Sequence, residues 1–143
     1  MRYRWLLDTC VLSEVTRLRP DEGVVRWLRA HGQGAAVAAV SFGEIHYGLA
    51  CLPMGAKRNQ LQAWALSLAQ QFAGRVLVTD EAVWRHFGEL KASLRALGRM
   101  QDTLDILIAA SAMAHGLTVV TRNTRHFEDM GVPLLDPWTA PAP

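Results

Sequence analysis

Residues 6–14 of the chain read LLDTCVLSE, and this stretch decides the fold class. The apolar run from Arg4 to Leu7 is typical of a short strand, and the segment after Asp8 is typical of a helix for which Thr9 is a candidate cap. The pattern predicts a strand that runs directly into a helix, with Asp8 at the junction. An unpaired charge there would cost on the order of several kcal/mol unless a cation or strong donors met it.

The alternation of strand and helix continues along the chain. Further strands are predicted at Ala35–Val40, Arg75–Thr79, Leu117–Val120 and, as an edge strand, Val132–Leu135. Helical patterns separate them and begin near Asp21, Ser41, Lys57, Asp80 and Asp102. The order predicts an α/β fold, a three-layer αβα sandwich with a mostly parallel central sheet of four to five strands.

Length and composition fit one domain. The 143 residues are 50% hydrophobic and 20% charged, a balance that excludes a disordered chain and suits helices packed on both faces of a sheet. We expect a single domain over residues 1–138 and a loose tail over residues 139–143. The net charge of +2 permits a nucleic-acid partner but does not require one.

Two cysteines, Cys10 and Cys51, have no neighbouring Cys or His at the spacing of a zinc site. No signal peptide is visible, and no apolar run approaches the roughly 20 residues that cross a bilayer. We therefore expect a cytoplasmic protein with reduced thiols and no membrane partner.

Polar residues follow the predicted strands. Asp8, Glu44 and Asn123 each come shortly after a strand, and the carboxyl ends of parallel strands share one edge of a sheet. Asp105 lies in the first turn of a helix that leads into the strand at Leu117. If that helix runs antiparallel to the strands, Asp105 reaches the same edge.

Each acid except Asp8 also has a purely structural interpretation. Ser41 and Glu44 have the spacing of a capping box, in which the Glu side chain reaches back to the first amide of a helix. Asp102 and Asp105 stand at a helix start, where carboxylates are favoured, and capping is the stronger interpretation for Asp102. Together, however, clustered carboxylates repel unless a cation lies between them, and Mg²⁺ or Mn²⁺ fits an all-oxygen site.

Four segments resemble the PIN-domain ribonucleases, and among them the VapC and FitB-like toxins of type II toxin–antitoxin pairs. These segments are LLDTCVLSE, VSFGEIHYGL, DTLDILIAASA, and VVTRNTRHF followed by GVPLLDPW. They occur in the family's order and span essentially the whole chain. The resemblance implies a PIN-like fold and a metal-dependent nuclease.

The resemblance assigns site residues position by position. Asp8, Glu44 and Asp105 match the family's first three acids, and they are the expected catalytic residues and Mg²⁺ or Mn²⁺ ligands. The fourth acidic position falls on Asn123, so one principal metal ion is expected. Asp102, three residues from Asp105 and on the same helix face, is a candidate compensating carboxylate.

Supporting roles follow from the same matches. Thr9 and Thr121 resemble hydroxyls that orient the carboxylates or a water, with helix capping as an equal alternative. Arg122 resembles a phosphate-facing residue, with an exposed structural arginine as its alternative. Cys10 stands where many relatives have asparagine, and we expect it to pack rather than to bind metal.

The remaining candidates carry less signal. His46, His86, His115 and His126 share no pattern beyond helical surface positions, and we interpret the five tryptophans as core and interface anchors rather than base-stacking platforms. Large apolar residues on the helices between Val24 and Phe72 favour either a homodimer with an antitoxin groove or a well-filled core.

The leading hypothesis is an endoribonuclease toxin. The resemblance implies a structured RNA substrate, tRNA or ribosomal RNA, and a cognate antitoxin through which alone the protein would meet DNA. Asn123 and Cys10 favour an alternative, a catalytically impaired binding module that acts with its antitoxin in a DNA-bound repressor complex. A phosphatase of the haloacid dehalogenase type is disfavoured, because it needs an acid where this chain has Cys10.

Overall fold

The computed structural model describes residues 2–141, and its strands form one five-stranded sheet in the order β3-β2-β1-β4-β5. All four pairings are parallel. The strands are β1 Trp5–Leu7, β2 Ala35–Ala38, β3 Val76–Leu77, β4 Thr118–Val120 and β5 Leu134–Leu135. β1 lies between β2 and β4, so the connections that follow β1 and β4 run to opposite sides of the sheet. Such a change of direction leaves a crevice between the loops at the carboxyl ends of the two strands.

Helices cover both faces of the sheet. They are α1 Thr9–Glu14, α2 Glu22–His31, α3 Ala39–Cys51, α4 Ala56–Gln71, α5 Glu81–Ala96 and α6 Thr103–His115, with 3₁₀ turns at Gly32–Gly34 and Thr124–Phe127. Side chains alternate along β1: Leu6 packs in a first core with α5 and α6, while Trp5 and Leu7 pack in a second core with α1 to α4. The prediction of a three-layer α/β sandwich with a parallel sheet is confirmed.

Aspartates set the starts of four helices. Asp21, Asp80 and Asp102 each accept a hydrogen bond from an amide in the first turn of α2, α5 and α6. Asp8 holds the corresponding position for α1 and accepts from the amide of Thr9. The interpretation of Thr9 as a cap is therefore wrong, because Thr9 is already the first helical residue.

The strand before α3 is shorter than predicted. β2 ends at Ala38 rather than at Val40, and α3 begins at Ala39. Ser41 therefore lies inside the first turn, fully buried, and its hydroxyl has no hydrogen-bond partner within residues 2–141. The capping-box interpretation of Ser41 and Glu44 is wrong.

The large apolar residues between Val24 and Phe72 mostly fill the second core. Trp27, Leu49 and Phe72 are 3%, 6% and 5% exposed, and Trp64 packs half-buried against them. Of the two interpretations, the structure supports a well-filled core for these side chains. The homodimer stays a prediction.

Residues 136–140 form a turn that packs against the second core. The amides of Thr139 and Ala140 donate to the carbonyl of Asp136, and Ala140 packs against the second core. Residues 142 and 143 of the predicted tail lie outside the described residues, so the domain boundary stays a prediction. No helix among residues 2–141 combines the length and apolarity that a membrane span requires.

Candidate active site

Asp8 is a buried acid whose carboxylate is held by two hydrogen bonds. It directly follows β1, is 5% exposed, and lies beside Thr121, which directly follows β4 and is fully buried. The Thr121 hydroxyl donates to Asp8 Oδ2 over 2.7 Å, and the amide of Thr9 donates to Asp8 Oδ1 over 2.8 Å. These are the strong donors that a buried carboxylate requires, and they fix its orientation.

Glu44 joins the site through Thr9. The Thr9 hydroxyl donates to Glu44 Oε1 over 2.9 Å, so one residue contacts two acids, by its amide and by its hydroxyl. Glu44 lies in the second turn of α3, where the orphan amides of the helix start are out of reach. The structure thus removes the main structural alternative for this carboxylate.

Asp105 enters from the opposite face of the sheet, in the first turn of α6. Its Oδ2 lies 3.2 Å from Nδ1 of His126, in the 3₁₀ turn that follows β4. The Asp105 side chain is 16% exposed and that of His126 is 53% exposed. Sequence reasoning missed His126, because a single 3₁₀ turn has no periodicity that would mark the residue it brings back to the sheet edge.

The acids share one electrostatic environment. Burial raises the pKa of Asp105 to about 6, with a further upward contribution from the charges of Asp8 and Asp102 and a downward one from His126. The pKa of Glu44 is also raised, first by burial and then by Asp8, Asp105 and Asp102, while the Thr9 hydrogen bond lowers it. The site is therefore a concentration of negative charge that favours protons or cations.

The carboxylates of the site can bind a hard divalent cation only if oxygens from water or substrate complete the coordination of the ion. Among residues 2–141, no group of three or more His, Cys, Asp or Glu side chains is arranged to hold a metal ion. Mg²⁺, however, is usually held by one or two carboxylates with water and substrate phosphate. Asp8 and Asp105 supply such carboxylates, so the residues fit Mg²⁺ or Mn²⁺ but not a closed protein cage.

Cys10 contacts the site without offering a charge. Its thiol lies 3.6 Å from Asp8 Oδ2 and 3.5 Å from the Thr121 hydroxyl, and the residue also packs against the second core. Burial raises the pKa of the Cys10 thiol, and the charge of Asp8 raises it further. The thiol packs as expected, and the absence of metal binding by Cys10 stays a prediction.

The lower-ranked residues lie around this centre. Asn123 is exposed, and its amide, not its side chain, donates to the Thr121 hydroxyl over 3.0 Å. Asp102 is exposed and caps α6, so it reaches the acids through its charge. The guanidinium of Arg122 lies 5.1 Å from the ring centre of Trp138.

The chain is similar in sequence to proteins of one known family. A family model described as the PIN domain matches residues 5–133. The chain is 36% identical over 138 residues to VapC ribonuclease Y4jK of Sinorhizobium fredii, covering 93% of this chain and 96% of the relative. It is also 36% identical over 135 residues to toxin FitB of Neisseria gonorrhoeae, covering 93% and 97%.

A solved structure shows the same fold. The chain superposes with a TM-score of 0.87 and 34% identity on a chain from the structure of FitAB bound to an IR36 DNA fragment, covering 96% of this chain and 97% of that one. The expected resemblance is thereby confirmed over nearly the full length of both chains.

Proposed function

The chain belongs to the PIN-domain family, and from this premise we propose that it is a Mg²⁺- or Mn²⁺-dependent endoribonuclease that acts as the toxin of a type II toxin–antitoxin pair. The observation that carries the proposal is that Thr9 donates hydrogen bonds to both Asp8 and Glu44, while the charge of Asp105 is near enough to raise the pKa of Glu44. The relatives named as a ribonuclease and a toxin support it.

Each residue has a role that its contacts allow. Asp8, held by two donors, is the rigid ligand, and Asp105 is the second, while Glu44 shares the ion or positions water through its oxygen atoms. When bound, the ion would supply Lewis acidity toward a phosphodiester and its attacking water. Thr9 and Thr121 orient the carboxylates, and Asp102 strengthens the negative field.

The proposed substrate is a structured RNA, tRNA or ribosomal RNA, as the family resemblance implies. Arg122 and Asn123 are exposed and directly follow Thr121 in the chain, where they can meet a phosphate and a nucleotide edge. An exposed guanidinium suits a phosphate because its planar donors match two oxygens.

The proposed partner is a cognate antitoxin, and DNA is reached only through it, in keeping with the DNA-bound FitAB structure. We place the antitoxin on the apolar cleft of about 290 Å³ between α1, α2 and α4. Val15, 45% exposed, and Leu28 line this cleft. Val15→Glu should abolish neutralisation by the antitoxin while cleavage continues, and unchanged neutralisation would move the interface elsewhere.

Nuclease assays test the main proposal. Purified protein is incubated with total RNA and Mg²⁺ or Mn²⁺, and compared with the Asp8→Asn variant and with the protein in EDTA. Glu81→Gln, which removes an exposed carboxylate paired with Arg85 on α5, is the matched control and should cleave normally. Equal cleavage by wild type, by Asp8→Asn and in EDTA would refute the proposal.

The impaired binding module gains no support from the structure, since Asn123 and Cys10 leave the three acids in place. Calorimetry separates the two functions. A functional site should bind Mn²⁺ more tightly than its Asp8→Asn variant, whereas a dead site should bind it no better.

A further inference from the structure

Arg122 is next in the chain to an active-site residue and contacts an aromatic ring. It directly follows Thr121, the residue whose hydroxyl orients Asp8 and which comes immediately after β4. Its exposed side chain places the guanidinium over the ring of Trp138, with 5.1 Å between the guanidinium carbon and the ring centre. A cation over the face of an indole is attracted by the negative charge of the ring face.

Trp138 is itself anchored. Its amide donates to Asp136 Oδ1 over 2.9 Å, and its ring packs half-buried against the second core. The turn that carries it continues from β5, whose Leu135 carbonyl accepts from the amide of Thr121 over 2.9 Å. The indole is therefore held in place by the turn over residues 136–140, and the strand before that turn is hydrogen-bonded to Thr121, the residue that orients Asp8.

The contact leaves the donors of Arg122 available. Within the described residues, its guanidinium makes no ion pair with a carboxylate, although 13 acidic residues occur in the sequence. A guanidinium has five N–H donors, and a contact with a single ring face cannot occupy all of them, so donors remain for an anion. Such a group is prepared to receive a phosphate without first breaking a salt bridge.

We propose that Trp138 is a positioning residue that holds the guanidinium of Arg122, the chain neighbour of Thr121, in place to bind a backbone phosphate of the RNA. This inference rests on the proposed function, because it takes RNA as the substrate. It assigns a role in substrate binding to the C-terminal turn at Asp136–Ala140. Without the indole, Arg122 would sample many rotamers, and ordering it would weaken RNA binding.

A binding experiment tests the proposal without cleavage. A fluorescent single-stranded oligoribonucleotide of mixed sequence is titrated into Asp8→Asn protein in EDTA at several salt concentrations. Adding Trp138→Leu should weaken binding by about tenfold and reduce the slope of log affinity against log salt by about 0.7, the value for one phosphate contact on a single strand. Trp138→Phe keeps an aromatic face and should restore most of the affinity.

A double-mutant cycle separates positioning from general damage. Arg122→Gln should have the same effect as Trp138→Leu, and the two together should be no weaker than Arg122→Gln alone. Independent, multiplying effects would overturn the proposal, as would a Trp138→Leu variant that binds RNA like its parent. If Trp138→Leu does not fold, the same cycle with Trp138→Met decides.

Two comparisons complete the test. Trp84→Leu removes another tryptophan, 50% exposed on α5, and should leave RNA binding unchanged. In the metal-loaded enzyme, Trp138→Leu should raise KM with little change in kcat, because the acids are untouched.

If wild type binds the oligoribonucleotide but never cleaves RNA, the proposed function fails and the role of Trp138 stands.

Discussion

Thr121 donates its hydroxyl to Asp8 Oδ2 over 2.7 Å, although 113 positions separate the two residues in the chain. The contact exists because β1 and β4 are parallel neighbours in which Leu7 pairs with Val120, so the next residue of each strand leaves the sheet at the same point. This bond therefore has two roles. The Thr121 hydroxyl satisfies the hydrogen-bonding need of the buried Asp8 carboxylate, and it orients that carboxylate in the candidate active site.

Thr121→Val should test this joint role. The substitution keeps the shape of the side chain but removes the hydroxyl that donates to Asp8 Oδ2, while the Thr9 amide still donates to Oδ1; losing one donor to a buried carboxylate costs about 1–3 kcal/mol. We expect the free energy of unfolding in urea at neutral pH to fall by that amount and RNA cleavage to fall with it. Thr121→Ser keeps the hydroxyl and should retain most of both properties. Equal stability of the Val and wild-type proteins would show that the bond is not needed.

The stability of the metal-free protein should depend on pH through Asp105. Its folded-state pKa is raised to about 6, so the stability that its protonation supplies is complete below the unfolded pKa and is lost as the pH rises through about 6. Asp105→Asn cannot ionise. In EDTA near neutral pH, the variant should therefore be the more stable protein, by on the order of 1 kcal/mol once partial solvent screening is allowed for.

Thermal unfolding in EDTA across the acidic to neutral range measures this effect. The stability difference between Asp105→Asn and wild type should shrink toward zero as the pH falls to about 4. Ser41→Ala, which changes no ionisable group, is the control and should not show this dependence. A wild-type protein as stable as Asp105→Asn at neutral pH would contradict the raised pKa.

Much of the site could be predicted from the sequence, because Asp8 directly follows a strand and parallel strands end at one edge. The position of Glu44 within its helix could not be predicted. The sequence around Val40 suits a strand as well as a helix, and only the packing of α3 ends β2 at Ala38. His126 was equally hidden, since its contact with Asp105 depends on how a 3₁₀ turn meets the start of another helix.

His126 should lower the pKa of Asp105, which burial raises. Its imidazole lowers that pKa in the folded protein, so His126→Ala should raise it above about 6, as measured by carboxyl carbon NMR in EDTA. His126→Asn places an amide near the position of Nδ1 and should restore part of the shift, whereas His126→Gln places its amide farther out and should not. Unchanged titration of Asp105 in His126→Ala would show that the 3.2 Å contact carries no energy.

Ser41→Ala tests whether Ser41 caps a helix, as the sequence suggested, or is buried inside α3, as the structure shows. If Ser41 capped a helix, its loss would cost about 1 kcal/mol. In the structure its hydroxyl is buried inside the first turn of α3 without a partner, so removing it relieves the cost of burying an unpaired polar group. We therefore expect the free energy of unfolding in urea to rise, by about 1 kcal/mol. Asp80→Ala, which removes an observed cap, should lower it by a similar amount, and a destabilised Ser41→Ala protein would return Ser41 to the cap position.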